Sequence, residues 1–348
     1  MAYTPINKST DYFNTKLWNG NSSTQAISGV GFAPDWVWGK QRTSTENHQL
    51  LDVIRGANNC LFSNLSNAAV QDSNILNSFD SDGFTLGNQD QLNDTGDTYV
   101  GWSWKAGTTS GISPGSQNIT PSSYSINTTA GFGIYKWSRT GASTTDYFSH
   151  GLGATPTLAI QKRTDDAQDW YVNYTFGSSA NQNIHLNNTN GFENDSTTVP
   201  TSTNYYPKSP ETGDYITYLF TPIQGYSSFG VYLGNGSTDG PFIYTGFKPA
   251  FIIVKNISDS SGASNTGGNW KMLDNARDTF NVASKVLLPD NSAAETSSAD
   301  HYTDFLSNGF KIRNTSNQMN QNAGSGYFYM AFAAAPLVGT NNIPANAR

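Results

Sequence analysis

The most regular feature in the pattern of apolar and polar residues is a short stretch that occurs three times. It runs from Pro34 to Lys40, from Pro156 to Lys162 and from Pro249 to Lys255. Each copy begins with proline, contains at least three consecutive apolar residues and reaches lysine six positions later. Because proline has no N–H to donate to a sheet, and because a short apolar run between polar residues is typical of a strand covered on both faces, each copy is predicted to be a buried strand. We expect each lysine to mark the point where the strand emerges into water.

A second stretch with strict alternation closes each third of the chain, at residues 99–104, 215–220 and 327–332. Large apolar side chains occupy every other position, and the positions between them are smaller or mixed. This period of two predicts strands with one face in a core, as in a β-sandwich. The apolar face comprises Val100, Trp102, Trp104, Ile216, Tyr218, Phe220, Phe328, Met330 and Phe332.

Together these stretches predict an all-β protein with little helix, built from three related β-sandwich or jelly-roll-like units in tandem. The predicted division is a first unit at 1–106, a divergent second unit at 124–222, a third unit at 223–336 and a C-terminal arm at 337–348. Residues 107–123 are rich in Gly, Ser, Thr and Pro, which indicates a linker or a surface loop that a neighbouring subunit orders.

Composition narrows the function classes. The net charge is −7 and no run of Lys or Arg occurs, so a nucleic-acid partner is not expected. The single cysteine, Cys60, excludes an intrachain disulfide. No apolar stretch approaches about 18–20 residues, so no membrane insertion is expected. The N-terminus lacks the pattern of a secretory signal, which suggests synthesis in a reducing cytoplasm, with virion release as one route out.

Two charged pairs share one spacing: Asp52 with Arg55, and Asp274 with Arg277. A carboxylate beside a guanidinium can be catalytic, can bind a sugar hydroxyl, or can fix a turn through charge-assisted hydrogen bonds. Because an active site needs one copy only, the duplication favours a structural role. We therefore predict that each arginine reaches its aspartate or a nearby carbonyl.

Other candidate chemistry is weaker. Asp80 and Asp82 could contribute oxygen ligands to Ca²⁺, but the rest of a calcium loop is missing and a plain turn is favoured. Glycan hydrolysis needs two facing carboxylates, and nothing in the spacing selects among the acidic pairs. The four histidines show no metal-binding spacing, and no cofactor is predicted. The acidic pairs considered by residue type alone are Glu211 with Asp214, Asp300 with Asp304, and Asp80 with Asp82.

Aromatic side chains before polar turns are the binding candidates. Trp18, Trp137 and Tyr232 precede such turns and are expected to be exposed. Tyr205 and Tyr206 have no counterpart in the other units, which makes them a candidate contact patch. Exposed rings stack on sugars and dominate protein interfaces, so these five residues are candidates for a glycan or an interface.

Several of these motifs together resemble an uncharacterised repeated domain in virion proteins of marine tailed phages, notably those of cyanobacteria. The resemblance covers most of the chain and includes no catalytic signature. It implies a structural or receptor-facing role on a phage particle. The motifs that carry it are residues 31–40, 52–58, 78–86 and 99–105 in the first unit, and 244–249, 304–312 and 330–332 in the third.

The resulting hypothesis is a non-enzymatic virion protein, with a tail fibre or tail-associated component as the leading placement. Its expected partners are other virion proteins, copies of itself and host-surface polysaccharide. A capsid-decorating knob or fibre is an alternative placement. A glycan-degrading depolymerase and a carbohydrate-binding module are the alternatives from other functional classes.

Overall fold

The structure is a computed structural model. It describes residues 3–112, 119–141, 145–176, 180–195, 197–208, 211–258, 268–321 and 324–338.

The described chain is almost entirely β. Helix is limited there to α1 (Asp90–Asn93) and two 3₁₀ turns, Ser9–Asp11 and Ala299–His301. The first third of the chain forms β1 (Phe13–Asn19), β2 (Gln25–Ser28), β3 (Trp36–Gln41), β4 (Gln49–Asp52), β5 (Asn59–Phe62), β6 (Val70–Gln71), β7 (Leu76–Asp80), β8 (Gly83–Leu86) and β9 (Thr98–Trp104). The second third forms β10 (Pro121–Asn127), β11 (Phe132–Arg139), β12 (Phe148–Ser149), β13 (Leu158–Arg163), β14 (Tyr171–Phe176), β15 (Ala180–His185), β16 (Glu193–Asp195), β17 (Asn204–Tyr205) and β18 (Gly213–Phe220). The last third forms β19 (Ser227–Leu233), β20 (Phe242–Tyr244), β21 (Phe247–Asn256), β22 (Lys271–Asp274), β23 (Lys285–Val286), β24 (Thr296–Ser297), β25 (Thr303–Leu306), β26 (Gly309–Ile312) and β27 (Gly326–Pro336). The prediction of an all-β fold with little helix is confirmed.

Three large antiparallel sheets share one order over four adjacent strands, which are β1-β9-β3-β4, β11-β18-β13-β14 and β19-β27-β21-β22. The first sheet runs β1-β9-β3-β4-β5-β6, the second runs β10-β11-β18-β13-β14-β15-β16, and the third runs β19-β27-β21-β22. In each sheet an opening strand pairs with the closing strand, which pairs with a central strand, which pairs with the strand that follows it in sequence. Positions in the three sheets can therefore be matched by register.

The three proline-to-lysine stretches form the central strands β3, β13 and β21, and the prediction of buried strands is confirmed. The prediction that each lysine emerges into water is wrong, because Lys40, Lys162 and Lys255 are fully buried. Their ammonium groups donate to backbone carbonyls, with distances of 2.7 Å to Gln41, 2.6 Å to Arg163 and 2.7 Å to Thr189 and Gly268. For Lys40 and Lys162 the carbonyl belongs to the next residue of the same strand, and for Lys255 both carbonyls come from loops. The ammonium groups therefore find acceptors inside the protein.

One central core joins the three sheets. The alternating face predicted for the closing strands lies in this core, from Val100 of β9 to Phe332 of β27. Trp36 of the first sheet stacks on Tyr218 of the second with ring centroids 4.4 Å apart, and Phe251 of the third sheet lies 5.5 Å from Trp102 of the first. Contacts between aromatic rings thus connect the first sheet to both others.

A smaller core lies on the other face of each large sheet. Small sheets cover these faces, in the orders β2-β8-β7, β12-β17 and β20-β26-β25, which we call the first, second and third covering sheets. Gly83 and Gly309 begin β8 and β26. A Cβ at either position would overlap the carbonyl of Ile27 or Ile243 on the neighbouring strand, so only glycine fits there.

Hydrogen bonds from two tryptophans also cross between the large sheets. Trp170 Nε1 donates to the Phe62 carbonyl of the first sheet at 2.8 Å, and Trp270 Nε1 of the third sheet donates to the His185 carbonyl at 3.0 Å. Of the predicted linker, residues 113–118 lie outside the described residues, and Thr108 pairs with Ile126 of β10. Of the predicted arm, only residues 337 and 338 are described, where Leu337 N donates to the Gly246 carbonyl at 3.3 Å.

Candidate functional site: charged turns and a polar cleft

The Asp52–Arg55 pair forms a turn at the end of β4. Asp52 Oδ1 accepts hydrogen bonds from the backbone N–H groups of Ile54 at 3.0 Å and of Arg55 at 2.8 Å. Arg55 Nε donates to Asp52 Oδ2 at 2.6 Å, and both side chains are almost completely buried. The two remaining nitrogens of Arg55 donate to the carbonyls of Asn59 and Leu50 at 2.9 and 2.8 Å. The aspartate therefore shapes the turn, and the arginine ties it to the adjacent strands.

The electrostatics of Arg55 follow from this geometry. Burial by itself lowers the pKa of the guanidinium, but the charge of Asp52 and its hydrogen bond outweigh burial and raise the pKa above its ordinary value. Arg55 is consequently a permanent cation inside the protein.

The Asp274–Arg277 pair repeats this turn after β22. Asp274 Oδ1 accepts from the backbone N–H groups of Ala276 and Arg277, and Arg277 Nε donates to Asp274 Oδ2 at 2.5 Å. Arg277 Nη2 donates to the Met272 carbonyl at 2.9 Å, as Arg55 does to Leu50. The two turns therefore share these bonds and differ at Nη1, which donates to the Asn59 carbonyl from Arg55 and to Glu295 from Arg277.

Each turn also receives a hydrogen bond from the closing strand of another sheet. Tyr218 Oη of β18 donates to Asp52 Oδ2 at 2.7 Å, and Trp102 Nε1 of β9 donates to Asp274 Oδ2 at 3.1 Å. In the second sheet, the register position of the aspartate is occupied by Tyr174. On the third closing strand, β27, the position that matches Tyr218 and Trp102 is Met330, whose side chain has no hydrogen to donate. A carboxylate thus occurs in the two turns that face a polar donor.

A polar cleft of about 290 Å³ lies beside Arg55, between the first and second sheets. The backbone N–H of Ala69 donates to the Thr164 carbonyl at 2.9 Å, and that of Gln168 donates to the Ser66 carbonyl at 2.8 Å, which holds the two walls together. The lining consists of Arg55, Asn59, Ala69, Lys136, Thr164, Asp165 and Asp214.

The charged groups of the cleft differ in how they are held. Asp165 Oδ1 accepts from Arg163 Nε at 2.9 Å and from the backbone N–H of Asp214 at 3.1 Å. The hydrogen bond from Arg163 lowers the pKa of Asp165, although burial opposes this, so Asp165 is ionised at neutral pH. Asp214 Oδ1 accepts from the Ser138 hydroxyl. Lys136 is half-buried, and its ammonium makes no hydrogen bond or ion pair with the residues that the structure describes.

Most of the aromatic residues chosen from the sequence are not on the surface. The expectation that Trp18, Trp137 and Tyr232 are exposed is wrong, because they are buried. Each ring stacks on a tyrosine of its closing strand, with centroids 5.6, 4.5 and 5.0 Å apart, under a covering sheet.

The contact patch expected at Tyr205 and Tyr206 is also largely internal. Tyr205 is buried against Phe148, with ring centroids 5.5 Å apart. Tyr206 is half-buried and lies 5.3 Å from Tyr147. Only Tyr206 of the five aromatic candidates keeps appreciable access to solvent.

Asp80 and Asp82 fix turns of the first covering sheet. Asp80 accepts from the hydroxyls of Ser78 and Thr85 at 2.7 Å. Asp82 accepts from the backbone N–H groups of Gly31 and Gly29 at 2.6 and 3.0 Å, and these bonds lower its pKa. Within the described part of the chain, no group of three or more His, Cys, Asp or Glu residues could hold a metal ion.

Among the remaining acidic candidates, Glu211 and Asp214 lie near the Arg163–Asp165 pair, and Asp304 lies elsewhere. Glu211 binds Arg163 at 2.9 Å, Asp304 lies 3.6 Å from Arg313, and Asp214 lines the cleft. Sequence reasoning missed Lys136 and Thr164 as cleft residues. In the sequence only their residue types indicate a polar site, because the two residues belong to separate segments, β11 and the turn after β13.

Comparison with known proteins identifies a family without a described activity. A family model described as a domain of unknown function (DUF7483) matches residues 8–336. No curated protein and no solved structure matches the chain. None of the helices in the described ranges is long and apolar enough to span a membrane.

Proposed function

We propose that this chain, which belongs to the DUF7483 family, is a non-enzymatic structural protein of a phage virion. The leading placement is a tail fibre or tail-associated component that contacts host-surface glycan, and a capsid-decorating knob or fibre is the second placement. The virion role rests on the resemblance of its motifs, such as residues 31–40 and 99–105, to those of tailed-phage particle proteins. The protein would be made in the host cytoplasm and carried on the particle.

The observation that carries an assembly role is an aromatic surface on the third covering sheet. Phe242 and Tyr244 of β20 are 45% and 57% exposed, and their neighbour Ile243 is buried. Phe280 and Tyr302 are also exposed, on the side of this sheet formed by β25. We call these four residues the aromatic face. Exposed aromatic side chains are typical of protein interaction surfaces.

The first covering sheet provides an internal comparison. Ile27 pairs with Phe84 as Ile243 pairs with Phe310, so Ala26 and Ser28 hold the positions of Phe242 and Tyr244. The fold therefore does not need aromatic residues at these positions. Their presence on one covering sheet supports a contact with another virion protein or another copy of this chain.

The charged groups favour binding over hydrolysis. A glycoside hydrolase needs one carboxylic acid with a raised pKa to protonate the leaving group. The pKa of Asp165 in the cleft is lowered, and Asp52 and Asp274 are fully engaged in buried turns. Burial raises the pKa of Asp35 and, to about 7, that of Asp290, but neither residue lines the cleft. Asp35 accepts hydrogen bonds from Ser125 and Ala106, and Asp290 accepts them from Asn269 and Trp270. The depolymerase alternative has less support for this reason.

The direct test incubates the purified protein with host-surface polysaccharide and measures both release of reducing ends and retention of the polysaccharide on immobilised protein. We expect retention without release above a heat-denatured control. Release that grows with protein concentration, and that is lost in Asp214→Asn, would contradict the non-enzymatic assignment.

A further inference from the structure

The polar cleft between the first and second sheets has a counterpart between the third and first sheets. The bond from Ala69 N to the Thr164 carbonyl, at 2.9 Å, corresponds to the bond from Glu295 N to the Arg42 carbonyl, at 2.8 Å. Thr164 and Arg42 each follow a central strand. The backbone N–H of Thr164 donates to the Asp214 carbonyl, and that of Arg42 donates to the Thr98 carbonyl, each at the start of a closing strand. Arg55 and Arg277 occupy matching turns, so the two junctions can be compared residue by residue.

An ion pair fills the counterpart. Arg42 donates from Nε to Glu295 Oε2 at 2.9 Å and from Nη2 to Oε1 at 2.8 Å. Glu295 Oε2 also accepts from Arg277 Nη1 at 3.2 Å. A carboxylate therefore lies between two guanidinium groups at this junction, in the geometry that arginine prefers for carboxylates.

The polar cleft lacks both filling side chains. Ala69 stands where the counterpart has Glu295, and Thr164 stands where it has Arg42. The missing carboxylate and guanidinium leave the volume of about 290 Å³ open beside Arg55. Four of the five N–H donors of Arg55 are used by Asp52, Asn59, Leu50 and Tyr218, and one has no partner among the described residues.

The cleft also carries charges that the shared framework does not require. Register places Lys136 at the position of Leu17 in the first sheet. The bond from Asp214 N to Asp165 Oδ1, at 3.1 Å, repeats the bond from Thr98 N to Thr43 Oγ1, also at 3.1 Å. A threonine is thus sufficient to hold this turn, and the two carboxylates exceed what the fold needs.

We propose that the polar cleft binds an acidic sugar unit, a hydroxylated carboxylate of the hexuronate class. The sugar carboxylate takes the place that Glu295 occupies in the counterpart and is held by Arg55 and the ammonium of Lys136. The acceptors Asp165 and Asp214 take hydrogen bonds from its hydroxyl groups. The cleft volume lies at the lower limit of ligand pockets, which suits one sugar residue of a longer chain. The inference rests on the glycan contact in the proposed function and names its ligand class.

Calorimetric titration of the full chain tests this with three probes: a trisaccharide of galacturonate, a neutral trisaccharide of galactose, and glucosamine. We expect the galacturonate probe to bind at least tenfold more tightly than either other probe. Lys136→Ala should weaken galacturonate binding at least tenfold. Leu17→Ala, at the matching position of the first sheet, should leave it unchanged.

A filling variant tests the location. Ala69→Glu with Thr164→Arg rebuilds the ion pair of the counterpart inside the cleft, so it should keep the folded state and abolish binding. Equal affinity for neutral and acidic probes would overturn the ligand class, and undiminished binding by the filling variant and by Lys136→Ala would overturn the site. If the filling variant does not fold, Lys136→Ala decides alone. Absence of all sugar binding would overturn this inference, while the presence of the protein on particles would still support the virion role.

Discussion

Tyr218 on the closing strand of the second sheet donates a hydrogen bond to Asp52 Oδ2 in the first sheet, at 2.7 Å. The same relationship joins Trp102 of the first sheet to Asp274 of the third at 3.1 Å. Each carboxylate thus bonds to an arginine within its own turn and to an aromatic donor from another sheet. The charged turns therefore connect the three sheets as well as shaping the chain locally.

Removal of the Tyr218 hydroxyl should destabilise the protein. Tyr218→Phe keeps the ring that stacks on Trp36 and leaves the buried Asp52 carboxylate with one donor fewer. We expect a loss of about 1.5–3 kcal/mol in the free energy of unfolding, measured by urea denaturation. Tyr302→Phe, at an exposed tyrosine, is the control. Equal effects of the two variants would show that the bond between sheets contributes nothing.

Removal of either buried arginine should cost more. Arg55→Ala and Arg277→Ala each leave a buried carboxylate without its cation, and we expect about 3–5 kcal/mol of destabilisation. Thermal unfolding checks this against Lys8→Ala, which removes the exposed Lys8–Asp11 pair. An Arg55→Ala variant that melts with this control would contradict the structural role.

Buried lysines should give the protein a distinctive pH dependence. Burial lowers the pKa of Lys40 to about 8, whereas the pKa of a lysine in the unfolded chain is about 10.4. Between these values the unfolded state binds more protons, so the free energy of unfolding should rise with pH above about 8. Below about pH 8 both states carry the proton and the contribution is constant.

Lys40→Met tests this pH dependence. Urea denaturation at about pH 7.5 and at about pH 9.5 measures the rise in the free energy of unfolding. In the variant this rise should be smaller than in the parent by about 2 kcal/mol. Burial also lowers the pKa of Lys162 and of Lys271 to about 8, so a shallower rise should remain. Burial raises the pKa of the Cys60 thiol to about 12, so Cys60 acts in the opposite direction within this range, equally in parent and variant. The buried tyrosines, whose pKa is also raised, act in that direction above about pH 10. The exposed control is Lys8→Met. If the free energy of unfolding rises equally with pH in Lys40→Met and in this control, the lowered pKa of Lys40 is contradicted.

The proposed contact between copies of this chain through the aromatic face leads to a further prediction. Phe242→Ala with Tyr244→Ser gives the third covering sheet the residues of the first, so the melting temperature should stay within a few degrees of the parent. The oligomer should dissociate at higher concentration than the parent, as seen in a sedimentation velocity series. Val70→Ala, at an exposed apolar residue of β6, is the control. An oligomer that is insensitive to the double substitution would show that this face does not join copies.

Local pattern was sufficient to predict the central and closing strands of the three large sheets. Alternation placed Trp102 and Trp104 on one face of β9, and proline before an apolar run located β3, β13 and β21. These signals work because side chains alternate across a sheet and because proline cannot donate within one.

Burial of polar atoms and the position of the cleft depend on contacts that are distant in sequence. Lys255 is buried because the carbonyl of Thr189, 66 residues away, accepts a hydrogen bond from its ammonium group. Trp18 is buried because its Nε1 donates to the carbonyl of Leu92, which no turn signal after Trp18 reveals. The cleft exists because Ala69 and Thr164 are short where another junction has an ion pair, a comparison that needs the register of the sheets.

Immunogold electron microscopy of purified phage particles, with an antibody against the full chain, tests the virion assignment most directly. Pre-adsorption of the antibody with the recombinant protein provides the control. The account predicts gold at a fixed position on intact particles, with the tail as the expected position and the capsid surface as the second. Unlabelled particles, with the protein confined to the soluble fraction of the lysate, would contradict it.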